Sequence, residues 1–438
     1  MNSTEPDWPE RRYAWFAVGA LSLANTLSFA DRQVMALLLE PIKTDLGLSD
    51  TQMSLLSGLG FVILYVAVSL PVARLADIRS RRVVVATALL TLSFMTALCA
   101  VARNFTALLT ARVGIGASEG ALVPAAQSIL SDYLPPRRLP LALGVFASGV
   151  YIGGGAALLL GGWLYALVAP PGIVPLAAVG GLHGWRLVVA SLCVPGVVLS
   201  LLCAAIREPP RRQHDSVVPV LHNDASFAAL RQQLANEFRV YGGVVLGFSL
   251  MIMVGAGTSA WIPAFFVRTH HWTLAQVGSR YGTVVLLSGI AGVLCGGYCA
   301  GAWRRRGSAA ANLGVSLIGF VAVIPFAVSY PLVADPWTAL WLIAGFNFFG
   351  GFPFGGGYAA LLEITPNRMR AQVAALFAML INLIGQGGGP TVVALFTDYL
   401  FKDERALASS LALIALLGTP PAAAALWWGR RGYKKIRP

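Results

Sequence analysis

The chain has 438 residues, of which 57% are hydrophobic and only 12% are charged, and its mean hydropathy is +0.70. Because soluble domains carry about 25% charged residues, this composition excludes an ordinary soluble protein and indicates a polytopic α-helical membrane protein. The net charge of +13 lies in short basic clusters between apolar segments. That placement follows the positive-inside rule and suits anionic lipid headgroups, so we expect the lipid bilayer as the partner of these charges and no nucleic acid.

Apolar segments of about 20 residues, the length that crosses a bilayer as a helix, divide the chain into five parts. A polar tail, residues 1–11, precedes a first six-helix bundle, residues 12–206. A long polar loop, residues 207–239, leads to a second six-helix bundle, residues 240–428, and a basic tail, residues 429–438. The twelve spans are predicted at residues 12–40, 52–74, 83–102, 105–132, 139–166, 186–206, 240–267, 274–302, 309–331, 336–362, 370–398 and 406–428.

The polar segments predict the orientation. Arg11 and Arg12 precede the first span, and the C-terminal tail is basic. Both termini are therefore expected in the cytoplasm of a multi-pass protein of the cell (inner) membrane. In the central loop, one helical face carries Phe227, Leu230, Leu234 and Phe238, which predicts an amphipathic helix on the cytoplasmic surface.

The two halves resemble each other weakly. In each half a basic turn follows the second span, at residues 73–82 and 301–307, and another follows the fourth, at residues 135–138 and 366–370. Six-plus-six repeats around a long loop are the layout of alternating-access carriers. We therefore expect an all-α membrane fold of twelve transmembrane helices in two pseudo-symmetric halves, and a carrier of small molecules.

Four charged residues lie inside apolar spans, where an ionisable group is costly unless it is paired or hydrated. Asp31 and Arg32 are in the first span, and Arg112 and Glu119, which share a helical face, are in the fourth. The functional interpretation is that Asp31 and Glu119 take up and release protons as a neighbouring arginine moves away or pairs with an anionic substrate. The alternative is a static salt-bridge network. Arg32 could also bind an anionic headgroup directly, because guanidinium suits phosphate and carboxylate.

The second half has almost no charge inside its spans but is rich in aromatic residues. A polar first half and an apolar second half suggest an amphiphilic cargo, although aromatic side chains in helices often serve packing alone. The residues expected to form the apolar wall are Trp261, Phe265, Phe348, Phe349, Phe352 and Phe354.

The sequence offers no set of catalytic or metal-binding residues. Gly116 to Gly120 matches the G-x-S-x-G pattern of hydrolases, but it lies inside an apolar helix and all histidines fall in loops. Cys295 and Cys299 are four residues apart without an accompanying acid or histidine. We therefore expect neither an enzyme nor a metal or other cofactor.

The turn at residues 73–82 resembles the signature G-x-x-x-D-R-x-G-R-R/K of the major facilitator superfamily. Asp77, Arg81 and Arg82 match this signature, whereas Ala73 and Ser80 replace its glycines. The charged residues of the first and fourth spans, together with residues 363–390, resemble the Spinster-like branch. This resemblance implies proton-linked transport of sphingolipid- or lysophospholipid-like amphiphiles by a monomer, with Asp31, Arg32, Arg112 and Glu119 in coupling and binding, and a conformational role for the turn.

Other functions remain open on the sequence alone. The Asp31-Arg32 pair also resembles the branch of symporters that import organic acids. A membrane receptor on a carrier fold would not need buried acids, and a channel would require a selectivity filter that the sequence does not suggest.

Overall fold

The computed structural model describes residues 9–78, 80–135, 138–168, 184–210, 227–308, 310–355, 359–366 and 369–436. The regular elements in these ranges are all helices, which confirms the predicted all-α class. Ten helical segments in the same ranges are long and apolar enough to cross a membrane. The fourth predicted span is also one continuous helix, Phe105–Tyr133, whereas the tenth is divided into Pro336–Gly350, a 3₁₀ turn and Ala359–Ile364.

The helices are numbered here in chain order. Those before the central loop are α1 (Arg11–Leu37), α2 (Leu39–Leu46), α3 (Asp50–Ser57), α4 (Leu59–Ile78), α5 (Arg81–Val101), α6 (Phe105–Tyr133), α7 (Leu139–Val168), α8 (Gly184–Ser191) and α9 (Cys193–Ala205). Those after it are α10 (Phe227–Asn236), α11 (Phe238–His270), α12 (Leu274–Gln276), α13 (Gly282–Arg305), α14 (Ala311–Ser329), α15 (Pro336–Gly350), α16 (Ala359–Ile364), α17 (Arg370–Leu380), α18 (Gly388–Leu395) and α19 (Leu407–Ile436).

The helix predicted in the central loop is present as α10. Its exposed side includes Arg231 and Gln232, whereas Leu230 and Leu234 are half-buried. The remainder of the predicted loop, residues 211–226, lies outside the described residues.

The described residues form two compact units. The first contains those of Met1–Leu48 and Gly60–Gln213, and the second contains Ser49–Leu59 and those of His214–Pro438. The second predicted span thus contributes its first part, α3, to the second unit. The helix is interrupted at Gly58, where a Cβ atom would lie 2.6 Å from the carbonyl oxygen of Gly387.

The first unit has a core of small and branched apolar side chains. Residues of α1, α5, α6, α7 and α9 form it, with Leu21, Leu89 and Leu130 fully buried. Small residues allow close helix contacts in a membrane, and Gly153 of α7 illustrates this, because a Cβ atom there would lie 2.2 Å from the carbonyl oxygen of Thr26.

The G-x-S-x-G segment of α6 is a packing motif. A Cβ atom on Gly116 would lie 2.3 Å from the carbonyl oxygen of Phe61, and one on Gly120 would lie 2.5 Å from that of Tyr65. These two glycines, four residues apart, let the backbone of α6 contact that of α4 directly. The pattern therefore has a structural explanation and sets the position of Glu119 between the two contacts.

The second unit is built around α11, which packs along α19 and against the eleventh predicted span. Gly257 and Gly389 allow the latter contact, because a Cβ atom on Gly389 would lie 2.3 Å from the carbonyl oxygen of Met253. The eleventh span contains two π-helical segments, Ile381–Gly387 and Phe396–Phe401. π-Helical turns often occur at functional sites.

Ionic and hydrogen-bonding contacts attach α3 to the second unit. The Arg268 guanidinium donates to both carboxylate oxygens of Asp50, at 2.6 and 2.8 Å. The backbone N–H of Thr51 donates to Oδ2 of Asp398 at 2.8 Å, and the Thr51 hydroxyl donates to the same oxygen at 2.6 Å.

The aromatic residues predicted to line a cavity have mixed positions. Trp261 and Phe265 are 1% and 0% exposed and belong to the packed interior, which corrects that prediction for both. The indole N–H of Trp261 donates to the carbonyl oxygen of Pro390 at 3.0 Å, which holds this ring in the interior. Phe348, Phe349 and Phe352 pack against one another, and the side chain of Phe354 lies outside the described part of the structure.

The Gly116 contact is testable by a matched pair of substitutions. Gly116→Ala should lower the free energy of unfolding of the purified protein by about 1–3 kcal/mol, because the added Cβ atom would overlap the Phe61 backbone. Gly19→Ala in α1 is the control, because no atom lies within 4 Å of its Cβ position. Melting curves that shift equally for the two variants would contradict the proposed close contact between α4 and α6.

Candidate functional site

The four charged residues predicted inside the first and fourth spans meet as two ion pairs in the first unit. Asp31 pairs with Arg112, and Arg32 pairs with Glu119. Asp31 and Arg32 are consecutive in α1, whereas Arg112 and Glu119 are separated by two turns of α6, or about 10 Å along its axis. Consecutive side chains of α1 thus diverge to reach two levels of α6.

The Asp31–Arg112 pair is enclosed by protein. Both side chains are only 2% exposed, and Nη1 of Arg112 donates to Oδ2 of Asp31. The Thr96 hydroxyl of α5 donates to the other carboxylate oxygen of Asp31 at 3.1 Å. Both oxygens of this buried carboxylate therefore accept a hydrogen bond.

The Arg32–Glu119 pair differs in its exposure and in its hydrogen bonding. The Arg32 side chain is 20% exposed, whereas that of Glu119 is 1% exposed. Nε of Arg32 donates to Oε2 of Glu119 at 2.8 Å, and Nη2 donates to the same oxygen. Oε1 of Glu119 is buried and has no hydrogen-bond partner among the described residues.

Aromatic rings of α4 cover the arginines of both pairs. The Arg32 guanidinium lies 4.4 Å from the ring centre of Phe61 and 5.8 Å from that of Tyr65. The Arg112 guanidinium lies 5.4 Å from the same Phe61 ring. Such cation–π contacts are worth roughly 0.5–2 kcal/mol each, and the Gly116 and Gly120 contacts place both rings against α6.

This arrangement can exchange one charge partner for another. An anion that reaches the exposed edge of Arg32 would compete with Glu119 for the guanidinium. A carboxylate left buried without its partner is strongly disfavoured, so its protonation would accompany the exchange. The enclosed Asp31–Arg112 pair offers no such exposed edge in this conformation.

A second cluster surrounds Arg81 at the opening of α5. The Arg81 guanidinium donates to Asp132 at the end of α6, to the Ser128 hydroxyl at 3.1 Å, and to Oε1 of Glu208 at 3.0 Å. It also donates to the carbonyl oxygen of Pro209 at 3.1 Å. Arg81 therefore connects the ends of the fourth and sixth predicted spans.

Glu208 binds three consecutive residues at the start of α5. Its carboxylate accepts from the Ser80 hydroxyl at 2.7 Å and from the backbone N–H groups of Arg81 and Arg82, each at 3.1 Å. Burial alone would raise the pKa of Glu208, but these hydrogen bonds outweigh it and hold the pKa below the ordinary value of 4.5. Arg82 also donates to the carbonyl oxygen of Ile206 at 3.2 Å. The Asp77 side chain, which completes the predicted signature, lies outside the described residues.

Sequence reasoning did not identify every residue that contacts these charges. Thr96, Phe61 and Tyr65 were missed because a threonine or an aromatic residue in an apolar span is ordinary. Asp132 carried a recognisable signal, as an acid at the end of a span that precedes a basic turn. The described residues contain no group of three or more histidine, cysteine or acidic side chains that could hold a metal ion.

Comparison with known proteins assigns the chain to a class. The sequence model of the Major Facilitator Superfamily matches residues 21–390. The chain therefore belongs to this superfamily and is a membrane transporter, not an enzyme.

Individual relatives are similar over nearly the whole chain. An MFS-type efflux pump of Mycolicibacterium smegmatis is 28% identical over 97% of this chain and 94% of its own length. The probable L-galactonate transporter of Escherichia coli is 24% identical over 84% of this chain and 79% of its own. The solved structure of a bacterial homolog to the human lysosomal transporter Spinster, inward-facing and unoccupied, is 25% identical. Its TM-score is 0.79, with 98% of this chain and 99% of that chain covered, which confirms the predicted Spinster-like resemblance.

The enclosed pair should behave as a coupled unit in stability measurements. Arg112→Gln leaves Asp31 buried without its charge partner and should destabilise the protein by roughly 3–5 kcal/mol. The double variant with Asp31→Asn should recover much of that loss, because it removes both charges. Thermal unfolding of the wild type, both single variants and the double variant measures the coupling. Additive losses would contradict a direct interaction between these side chains.

The Glu208 contacts predict a pH-dependent stability. Glu208→Gln should lower the free energy of unfolding by roughly 1–3 kcal/mol near neutral pH, since it loses charge-assisted hydrogen bonds. Because the folded-state pKa of Glu208 is lowered, its contribution is complete above the ordinary value and is lost as the pH falls through the lowered value. The difference in melting temperature between wild type and variant should therefore be constant from pH 7 to about pH 5 and shrink in more acidic buffer. A difference that grows on acidification would contradict this account.

Proposed function

We propose that this transporter is a proton-coupled, alternating-access carrier of an amphiphilic, lipid-like substrate of the sphingolipid or lysophospholipid type. Asp31 and Glu119 are the proton-coupling residues, and Arg32 and Arg112 are their charge partners. Of the two arginines, Arg32 contacts the anionic part of the substrate. The observation that carries the proposal is the state of the Arg32–Glu119 pair, which combines a partly exposed guanidinium with a buried carboxylate oxygen that lacks a partner.

The proposed coupling follows from competition for Arg32. An anionic headgroup takes over the N–H groups that otherwise bind Oε2 of Glu119. Glu119 then remains buried without its counter-charge and binds a proton, which makes it neutral. When the substrate leaves, Arg32 returns to Glu119 and the proton is released. Each cycle thereby links one substrate movement to one protonation event at Glu119.

Asp31 takes a different part in this cycle. Its carboxylate is satisfied by both Arg112 and Thr96, so it binds a proton only when the movement of α1 or α6 separates it from Arg112. We assign Asp31 to the conformational change and Glu119 to substrate exchange. The two acids are coupled because Asp31 and Arg32 are neighbours in α1.

The amphiphilic character of the substrate is supported by the surroundings of Arg32. Phe29, Phe61 and Tyr65 lie within 6 Å of its guanidinium, measured to the ring centres. An anionic group bound there would have apolar and aromatic surface beside it, which suits a headgroup attached to a hydrocarbon chain. The same substrate class is what the Spinster-like resemblance of the sequence implies.

A second candidate is proton-coupled symport of small organic anions. A guanidinium binds a carboxylate as readily as a phosphate, and one similar protein is the probable L-galactonate transporter of Escherichia coli. The two candidates share the Arg32–Glu119 exchange and differ in what occupies the apolar side of the site.

The remaining features complete the proposal. We place the protein in the inner membrane with both termini cytoplasmic, because the basic clusters mark that side. The monomer is what the resemblance to the superfamily implies. The turn with Asp77, Arg81 and Arg82 is a conformational gate, and the contacts of Arg81 with Asp132 and Glu208 are the interactions that it would break and re-form.

Substrate-dependent proton flux in proteoliposomes tests the mechanism. The panel contains a lysophospholipid, a sphingoid phosphate and several organic acids, and a pH-sensitive dye inside the vesicles reports proton movement. Wild type should move protons with an amphiphile, and Glu119→Gln should reduce that flux at least tenfold because its amide cannot exchange a proton. Asp31→Asn should also uncouple proton movement from the substrate.

The matched control is Asp403→Asn. This exposed carboxylate accepts a hydrogen bond from the N–H of Arg405 at the start of a short helical turn, and asparagine caps such a turn about as well. The control should retain wild-type flux. Flux with organic acids alone would select the second candidate. If no substrate moves protons, or if Glu119→Gln keeps full coupled flux, the proposed exchange at Arg32 is wrong.

A further inference from the structure

The Asp31 carboxylate is contacted by a hydroxyl group as well as by an arginine. Thr96 of α5 is 0% exposed, and its hydroxyl donates to Oδ1 of Asp31 at 3.1 Å. Arg112 of α6 donates to the other oxygen, Oδ2. Two helices therefore hold this carboxylate through groups of different chemistry, because a guanidinium only donates hydrogen bonds whereas a hydroxyl both donates and accepts them.

This chemical difference matters when Asp31 takes up a proton. A protonated carboxyl group has an O–H that needs an acceptor, and Arg112 cannot supply one. The Thr96 hydroxyl can donate to the ionised carboxylate and, after rotation of its hydrogen alone, accept from the protonated acid. A valine side chain of the same shape could do neither. Thr96 is therefore a partner that Asp31 can keep in both protonation states.

The position of Thr96 is fixed by the packing of α5. This helix contains neither proline nor glycine, the residues at which helices commonly kink. A Cβ atom on Gly196 of α9 would lie 2.0 Å from Oγ of Ser93, one turn before Thr96. The Ser200 hydroxyl of α9 donates to the carbonyl oxygen of Ala86 at 2.7 Å. The Thr96 hydroxyl thus keeps its place on α5 when α1 or α6 moves.

The other groups around Asp31 are less suited to follow the proton. The charged or titratable side chains within electrostatic range of Asp31 are Arg32, Cys99, Arg112, Glu119 and Cys193. The arginines only donate, the thiols are weak hydrogen-bonding groups, and the glutamate is bound by its own arginine. On α7, which runs beside this part of α1, residues 154–160 are glycine, alanine and leucine. On α8, Arg186 pairs with Asp45 at 3.0 Å.

We propose that Thr96 is a positioning residue for proton exchange at Asp31, and that its hydroxyl sets the pH at which this carboxyl group gains and loses its proton. The inference rests on the proposed role of Asp31 in proton coupling. When Arg112 separates from Asp31, the carboxylate takes one proton from water, and it returns that proton when Arg112 pairs with it again. A hydrogen bond to an ionised group is roughly twice as strong as one between neutral groups. The hydroxyl therefore favours the ionised form and keeps Asp31 ready to release its proton.

The test compares wild type with Thr96→Val and Thr96→Ser in two measurements. The first is substrate-dependent proton flux in proteoliposomes over a series of pH values. The second is an infrared titration of the protonated Asp31 carboxyl band, identified by its absence from Asp31→Asn. Thr96→Val should move both midpoints toward higher pH by roughly 1 unit, because the ionised form loses the stronger hydrogen bond. Thr96→Ser should restore the wild-type midpoints, because it keeps the hydroxyl.

Thr87→Val is the matched control on the same helix. Thr87 is exposed, and its hydroxyl donates to the carbonyl oxygens of Val83 at 2.8 Å and Val84 at 3.1 Å. This variant loses the same hydroxyl without a contact to Asp31 and should keep both wild-type midpoints. If Thr96→Val does not fold, Thr96→Cys gives the same readout with a smaller shift, because a thiol is a weak donor.

The outcomes separate a positioning role from a structural one. Midpoints that shift in Thr96→Val and return in Thr96→Ser support the proposal. A lower melting temperature with unchanged midpoints would make Thr96 a packing residue and overturn it. If wild type moves no protons with any substrate, the proposed function is wrong, but the infrared titration needs no transport and still decides the role of Thr96. Equal titrations of wild type and Thr96→Val, including a carboxylate that stays ionised throughout in both, overturn the proposal.

Discussion

The charged interior of the first unit depends on the divergence of two consecutive side chains of α1. Asp31 and Arg32 carry opposite charges and reach opposite charges two turns apart on α6. The two charges of each pair neutralise each other, so a helix with two adjacent ionisable groups can lie in an apolar interior. The register between α1 and α6 is thereby fixed, because sliding either helix by one turn would separate all four charges from their partners.

The two pairs share one register but differ in their access to solvent. The Asp31–Arg112 pair is closed by Thr96 on one side and by Phe61 on the other. The Arg32–Glu119 pair keeps an exposed guanidinium edge and an unused carboxylate oxygen. A single network therefore contains a component suited to holding helices together and a component suited to exchanging partners. The static interpretation of the sequence suits the first pair, and the proposed proton exchange would use the second.

Sequence alone predicted the helical class and drew attention to the four charged residues that pair between α1 and α6, because hydropathy and the rarity of intramembrane charge are strong local signals. The pairing itself was not predictable, since Arg32 could have bound an anionic substrate instead of Glu119. The aromatic residues were harder to assign. Nothing local distinguishes Trp261, which is buried against Pro390, from an aromatic residue at a cavity wall. The attachment of α3 to the second unit also depends on Asp50 and Arg268, which are 218 positions apart.

The glycines of α6 have a mechanical consequence. At Gly116 and Gly120 the backbone of α6 touches the carbonyl groups of Phe61 and Tyr65 with no side chain between them. Side chains can absorb a small displacement by changing rotamer, but a contact between two backbones cannot. A shift of α4 is therefore passed directly to the turn of α6 that carries Glu119. The Glu119 carboxylate and the aromatic rings of α4 beside Arg32 should then move together.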